Sequence, residues 1–288
     1  MERTLSIAGT EAGRPIATHE VRGGGGVRLH VREWGDAQGS PIVFVHGWSQ
    51  SQQCWARQVA GPLARDFHLV TFDLRGHGMS EKPPAVAAYV DGARWADDLA
   101  AVIEATGVRR PVVVAWSYGG FVVTDYLRAY GEDGVAGLDL VGAAVVRTPD
   151  FAHIGPGLLE NAGGAAADDL PTNIAAIGRF LRACTAQPLD DDEWNAALCW
   201  NMVVPAAVRG ALFARDINGD DVLSRLSVPV LVTHGRADAI VLPSMAEHVL
   251  DVCPAARASW YDGVGHMPFV EDSARFDREL RELAGGVS

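Results

Sequence analysis

Along the chain, short apolar runs rich in β-branched residues alternate with longer stretches in which apolar residues recur every three or four positions. The first pattern is that of strands buried on both faces, the second that of helices with one buried face. Ala17–Arg22 and Val27–Trp34 read as two strands joined by Gly23-Gly24-Gly25-Gly26, and VRLHVREW alternates as a half-buried strand does. Ile42–Val45, His68–Phe72, Pro111–Trp116 and Leu138–Val146 then read as buried parallel strands, with helices expected over Gln53–Arg65 and Gly92–Thr106. In the second helix Trp95, Leu99, Val102 and Ile103 share one face. Strands alternating with helices predict βαβ units, hence an α/β fold built on a mostly parallel, doubly wound sheet.

From about Thr148 to Asp216 the strand pattern stops and Ala-rich helical sequence replaces it. Pro171 suits the start of one helix, Asp190-Asp191-Asp192-Glu193 the N-terminus of a second carrying Trp194, Leu198 and Met202, and Pro205 the start of a third. The sheet pattern resumes at Val228–Thr233 and ends at Ala258–Tyr261. The expected organisation is an α/β core over 1–147 and 217–288, with 1–16 a loose leader, interrupted by a helical insertion over 148–216. No internal repeat is evident.

With 288 residues and 48% hydrophobic content, the chain can bury a sizeable core. A net charge of −12 without a run of Lys or Arg argues against nucleic acid as a partner. The glycine run lacks the Gly-Lys-Ser/Thr ending and following helix of a phosphate loop, so it reads as a hairpin turn. Cys54, Cys184, Cys199 and Cys253 form no CxxC pair and are expected to be reduced, and the nine histidines include no HExxH, so no metal is expected. No stretch reaches 18 consecutive apolar residues, and the N-terminus lacks an apolar core followed by a cleavage site; the expectation is a cytoplasmic protein without a membrane partner.

In parallel α/β sheets, chemistry gathers at the carboxyl ends of strands. His46-Gly47-Trp48, Ser117, Asp238 and His266 each follow one of the apolar runs. A serine hydroxyl is a weak nucleophile; it needs a histidine to take its proton and a carboxylate to orient that histidine. Ser117, Asp238 and His266 supply all three. Ala115 and Gly119 flank Ser117 closely enough for a sharp strand-to-helix turn, with Gly120 allowing the helix to pack on the strand. The backbone N–H groups of Trp48 and Tyr118 are candidate donors to a tetrahedral oxyanion.

His46-Gly47-Trp48, Asp73-Leu74-Arg75-Gly76-His77-Gly78-Met79-Ser80, Ala115-Trp116-Ser117-Tyr118-Gly119-Gly120, His234-Gly235-Arg236-Ala237-Asp238 and Gly263-Val264-Gly265-His266-Met267-Pro268 together resemble the α/β-hydrolase superfamily. Within it the chain is most similar to the cap-bearing serine esterases and cofactor-free haloperoxidases. Ala115 stands where the usual pattern has Gly. The resemblance implies that Ser117 is the nucleophile, Asp238 the acid and His266 the base, that no cofactor is needed, and that the insertion is a cap. It makes His234 part of the turn leading to Asp238.

Asp150 is the alternative acid, and His46 reads as a turn former. The Asp73–Gly78 segment reads as a structural turn with Asp73 and Arg75 paired. Trp48, Trp116, Tyr118 and Met267 are the candidate pocket residues; Trp194, Trp200 and Phe180 read as core of the insertion, with a pocket-lining place as the alternative. The expected activity is hydrolysis of a small or medium carboxylic ester, lactone or related acyl compound with an apolar acyl group, through an acyl-enzyme. Perhydrolysis or haloperoxidation, carbon–carbon bond hydrolysis and cofactor-free dioxygenation are the alternatives on the same fold, and a non-catalytic small-ligand receptor the alternative of another class.

Overall fold

The computed structural model describes residues 13–287. The leader expected over 1–16 lies outside the described residues except for its last four. Eight strands form one sheet: β1 (Ala17–Arg22), β2 (Arg28–Gly35), β3 (Ser40–Val45), β4 (Phe67–Phe72), β5 (Val112–Trp116), β6 (Gly137–Val141), β7 (Val230–Gly235) and β8 (Ala256–Tyr261), in the order β1-β2-β4-β3-β5-β6-β7-β8. β1, β2 and β4 pair antiparallel, and every other pairing is parallel. The first two strands are the expected hairpin, and Gly24 must be glycine because a Cβ there would lie 2.4 Å from the Arg94 carbonyl oxygen. β4 to β7 are buried along their whole length, as expected of strands covered on both faces.

Four helices flank the sheet: α1 (Gly92–Thr106), α2 (Gly119–Tyr130), α7 (Pro243–Val252) and α8 (Ser273–Gly286), while α3 (Pro156–Ala165), α4 (Leu170–Ala183), α5 (Asp191–Met202) and α6 (Ala206–Ala211) fall between β6 and β7. α1 is bounded as its sequence dictates: the Asp91 carboxylate caps the Ala93 N–H, and Gly107 ends the helix at φ 68°. The acidic start of α5 follows an Asp190 cap on the Glu193 N–H.

Two expectations are corrected. Gln53–Arg65 is not one helix: Ala56–Val59 is a single helical turn, and Gly61, held extended at ψ −171° ahead of Pro62, separates it from a second tight turn. The strand expected over Leu138–Val146 ends at Val141, because Gly142 at φ 47° turns the chain away. Helix α3 falls in the stretch expected to be helical but was not placed individually, since three glycines in PGLLENAGGA weaken its helical signal.

The chain passes from β3 to β4 on one side and returns to β5 on the other. This reversal opens a crevice at the carboxyl ends of β3 and β5, where a doubly wound sheet binds ligands. Val45 lies in register with Ala115, so the segments after the two strands begin side by side.

Candidate active site

Ser117 follows β5 directly and adopts φ 55°, a left-handed conformation that costs a non-glycine residue about 1–3 kcal/mol. The neighbours fix that conformation. The Ser117 N–H donates to the Val141 carbonyl, and its own carbonyl accepts from Gly120 and Ala144, each at 3.0 Å. The chain can pass this closely only with small residues: a Cβ on Gly120 would sit 2.4 Å from the Ala144 oxygen, and one on Gly119 2.8 Å from the Val45 oxygen. Across the crevice, a Cβ on Gly47 would lie 2.9 Å from the Ser117 Cβ.

Beyond Ser117, the turn at Gly142 brings in the other two residues. The Cβ position of Gly142 lies 3.0 Å from His266 Nδ1 and 3.2 Å from Asp238 Oδ2. His266 Nδ1 and Asp238 Oδ2 are 2.7 Å apart, and both side chains are almost fully buried. The other carboxylate oxygen accepts the Ile240 and Val241 N–H groups at 2.8 and 3.0 Å, so Asp238 is held at both ends. An ionised carboxylate accepts only, so a carboxylate at Asp238 puts the proton on Nδ1 and leaves the Nε2 lone pair free to accept. Among the described residues, buried His266 Nε2 has no hydrogen-bond partner. The Trp116 indole N–H donates to the His266 carbonyl at 2.9 Å, tying the serine turn to the histidine loop.

The segment after β3 is held by two neutral imidazoles. His46 donates from Nδ1 to the Gly47 carbonyl at 2.8 Å and accepts the Leu74 N–H at Nε2, and His77 bonds the Arg75 carbonyl and the Ser49 N–H in the same way. Burial pushes His46 down to about 4 and His77 to about 3, so both bridges are uncharged. Asp73 completes the frame by accepting from the Gln52 and Met79 backbone N–H groups. Within the described residues the Trp48 and Tyr118 N–H groups have no backbone acceptor. Two fixed donors beside a hydroxyl are an arrangement that can hold an oxyanion.

A cavity of about 170 Å³ opens beside Ser117, between the sheet and the helices that follow β6. Trp48 and Tyr118 line it, with Phe121, Leu158, Phe213 and Ile217 among the apolar walls. Trp116 and Met267, the other two expected pocket residues, lie elsewhere. Trp116 is committed to the His266 carbonyl and packs on Trp55 and Phe269, and Met267 faces a separate cleft with Trp200 and Val270. Phe180 packs edge-on against Trp48, Trp200 donates to Gln50 Oε1, and Trp194 stacks under Arg182; none of the three lines the cavity.

Asp150 is exposed and bonds the Ala152 N–H, away from His266. His234 donates to the Val241 carbonyl at 2.9 Å, behind Asp238. The expected Asp73–Arg75 pair is corrected: Arg75 is buried against Asp98, 1% exposed, because the chain turn sends the two side chains in opposite directions. Sequence reasoning also missed Glu271, which ties the histidine loop to the insertion through the Gly265 and Ala186 N–H groups at 2.8 and 2.7 Å. It missed Arg147 in the cavity wall as well, whose only trace in the sequence is a charge after Ala143-Ala144-Val145-Val146.

Residues 40–273 match the model of the alpha/beta hydrolase fold family. An esterase of known structure from Rhodococcus sp. superposes with a TM-score of 0.89 at 38% identity, covering 95% of this chain and all of that one. A bifunctional esterase/perhydrolase of Acinetobacter calcoaceticus is 30% identical over 75% of this chain and 80% of its own length. The pimeloyl-[acyl-carrier protein] methyl ester esterase of Vibrio cholerae is 28% identical over 86% and 95%. With its sheet order, its serine turn and these similarities, the chain belongs to the alpha/beta hydrolase fold family.

Proposed function

We propose that this protein is a serine hydrolase that cleaves a small or medium carboxylic ester through an acyl-enzyme. The observation that carries the reading is the 2.7 Å His266–Asp238 pair set behind a serine held at φ 55° at the mouth of an apolar cavity. Ser117 Oγ attacks the ester carbonyl while His266 Nε2 takes its proton. The Trp48 and Tyr118 N–H groups hold the oxyanion, and the proton returns to the departing alcohol. Water then repeats the sequence against the acyl-enzyme, with His266 as base, and frees the acid. Asp238 keeps the proton on Nδ1 and stabilises the imidazolium. The segment 148–216 serves as a cap whose helices close the acyl pocket. No cofactor or metal enters this chemistry, and the protein acts on a small molecule in the cytoplasm.

Purified protein is expected to release p-nitrophenol from short-chain p-nitrophenyl esters, with Ser117→Ala lowering kcat by at least about 10⁴-fold. Activity surviving that substitution overturns the assignment. A second reading, perhydrolysis, is favoured by the similarity to the bifunctional esterase/perhydrolase: hydrogen peroxide in place of water attacks the same acyl-enzyme and yields a peracid. Peracid formation from acetate and peroxide, lost in Ser117→Ala, tests it.

A further inference from the structure

We propose that Glu271 is a positioning residue for His266: its carboxylate joins the histidine loop to the segment between α4 and α5, and that tie sets where the imidazole stands before Ser117. The inference rests on the ester-hydrolase reading of the same site. On one side the loop is held from the ends of β7 and β5. The Val264 carbonyl accepts the Ala237 N–H at 2.9 Å, and the His266 carbonyl accepts the Trp116 indole N–H at 2.9 Å. The two N–H groups between those carbonyls are taken from the other side. The His266 N–H donates to the Cys184 carbonyl at 2.9 Å, and the Gly265 N–H donates to Glu271 Oε1 at 2.8 Å. Glu271 Oε2 accepts the Ala186 N–H at 2.7 Å, with the Gln187 N–H farther off at 3.4 Å.

The two segments approach closely enough to restrict residue type. A Cβ on Gly265 would lie 2.8 Å from the Ala186 nitrogen and 3.0 Å from the Thr185 carbonyl carbon. A carboxylate suits the place between them: in its ionised form it only accepts and has two oxygens, whereas an amide would turn an N–H toward one of the two N–H partners. Bonds of this charge-assisted kind are about twice as strong as neutral ones. Among the described residues His266 has one side-chain hydrogen bond, from Nδ1 to Asp238, and none at Nε2. That single bond leaves the ring able to swing, so the reach of Nε2 toward the serine is set by the backbone at 265 and 266. Glu271 does not line the cavity beside Ser117, and it acts through the loop. Removing its carboxylate leaves the Gly265 and Ala186 N–H groups without their acceptor, and the loop relaxes from the insertion. A misplacement of about 1 Å in a catalytic group can cost about 10²-fold in rate.

The test compares p-nitrophenyl ester turnover in the wild type, Glu271→Ala and Glu271→Gln, together with the low-field proton resonance of His266 Nδ1–H. Glu271→Ala should lower kcat about tenfold or more with KM within about threefold. Glu271→Gln, which keeps one acceptor and so one of the two ties, should show a smaller loss of the same kind. In both variants the Nδ1 proton should exchange faster with water and its resonance broaden, also in the Ser117→Ala background, where no turnover is needed. A kcat within about twofold of wild type in Glu271→Ala, or a lowered kcat with an unchanged resonance, overturns the inference. So does a loss confined to KM or to melting temperature, the pattern of a residue that only pins the insertion. If Glu271→Ala does not fold, Glu271→Gln decides on the same two readouts. If instead ester turnover survives Ser117→Ala, the hydrolase reading fails, and the resonance still decides whether Glu271 holds His266.

Discussion

At the scale of single residues, the site depends on what each side chain is prevented from doing. Asp238 receives two backbone N–H groups on one oxygen and His266 on the other, so its orientation is fixed. Asp238→Asn keeps the shape but presents either an amide N–H or a neutral oxygen to Nδ1, which destabilises the imidazolium and favours the wrong tautomer. Ester turnover is expected to fall by about 10³–10⁴-fold in kcat with KM little changed. A fall of less than tenfold would indicate another acid. That Ser117, Asp238 and His266 sit just past strand ends was legible in the sequence because each follows an apolar run, and the structure pairs the last two. Trp116 and Met267 were misplaced because adjacency along the chain does not give direction. On a turn, the side chain before the serine points into the sheet core, where Trp116 packs on Trp55 and Phe269.

At the scale of elements, the sequence was most readable where local chemistry and tertiary packing agree. All eight strands were anticipated, as was α1 with its apolar face of Trp95, Leu99 and Val102 and its glycine stop. Legibility failed where a distant part of the molecule dictates the backbone. Val141 to Val146 is apolar enough for a strand, yet Gly142 must turn there because His266 and Asp238 occupy the space in front of it. The turn after β4 carries Arg75 away from Asp73 to Asp98 on α1, where the guanidinium also binds the Gly24 and Ala88 carbonyls. That one side chain joins the hairpin to the first flanking helix, a long-range tie no local pattern reports. Arg209 plays a similar part among the insertion's helices, donating to the Ala165 and Val204 carbonyls near the ends of α3 and α5.

At the scale of the whole molecule, burial of titratable groups couples stability to pH in two directions. His46 and His77 are held neutral, so their contribution is complete above the unfolded value near 6.5 and is lost as pH falls toward 4 and 3. Asp139, in the middle of β6 with the Thr233 hydroxyl as its only hydrogen-bond partner among the described residues, is pushed by burial up to about 7. Its sign is opposite: the fold binds this proton more tightly than the unfolded chain, so the contribution is present below about 3.8 and lost as pH rises through 7. Asp139→Asn, a neutral group of the same shape, is therefore expected to gain on the wild type between pH 5 and pH 8, on the order of a few kcal/mol. Urea unfolding midpoints of the two proteins at both pH values check this; a difference independent of pH contradicts it.

The central claim is that Ser117 carries the acyl group during turnover, and the acyl-enzyme is its direct witness. Rapid mixing with excess p-nitrophenyl ester at low pH, acid quench and intact-protein mass spectrometry should reveal a single acyl adduct. Peptide mapping should place that adduct on Ser117, and Ser117→Ala should carry none. Turnover without an adduct, or an adduct on another residue, would contradict the account.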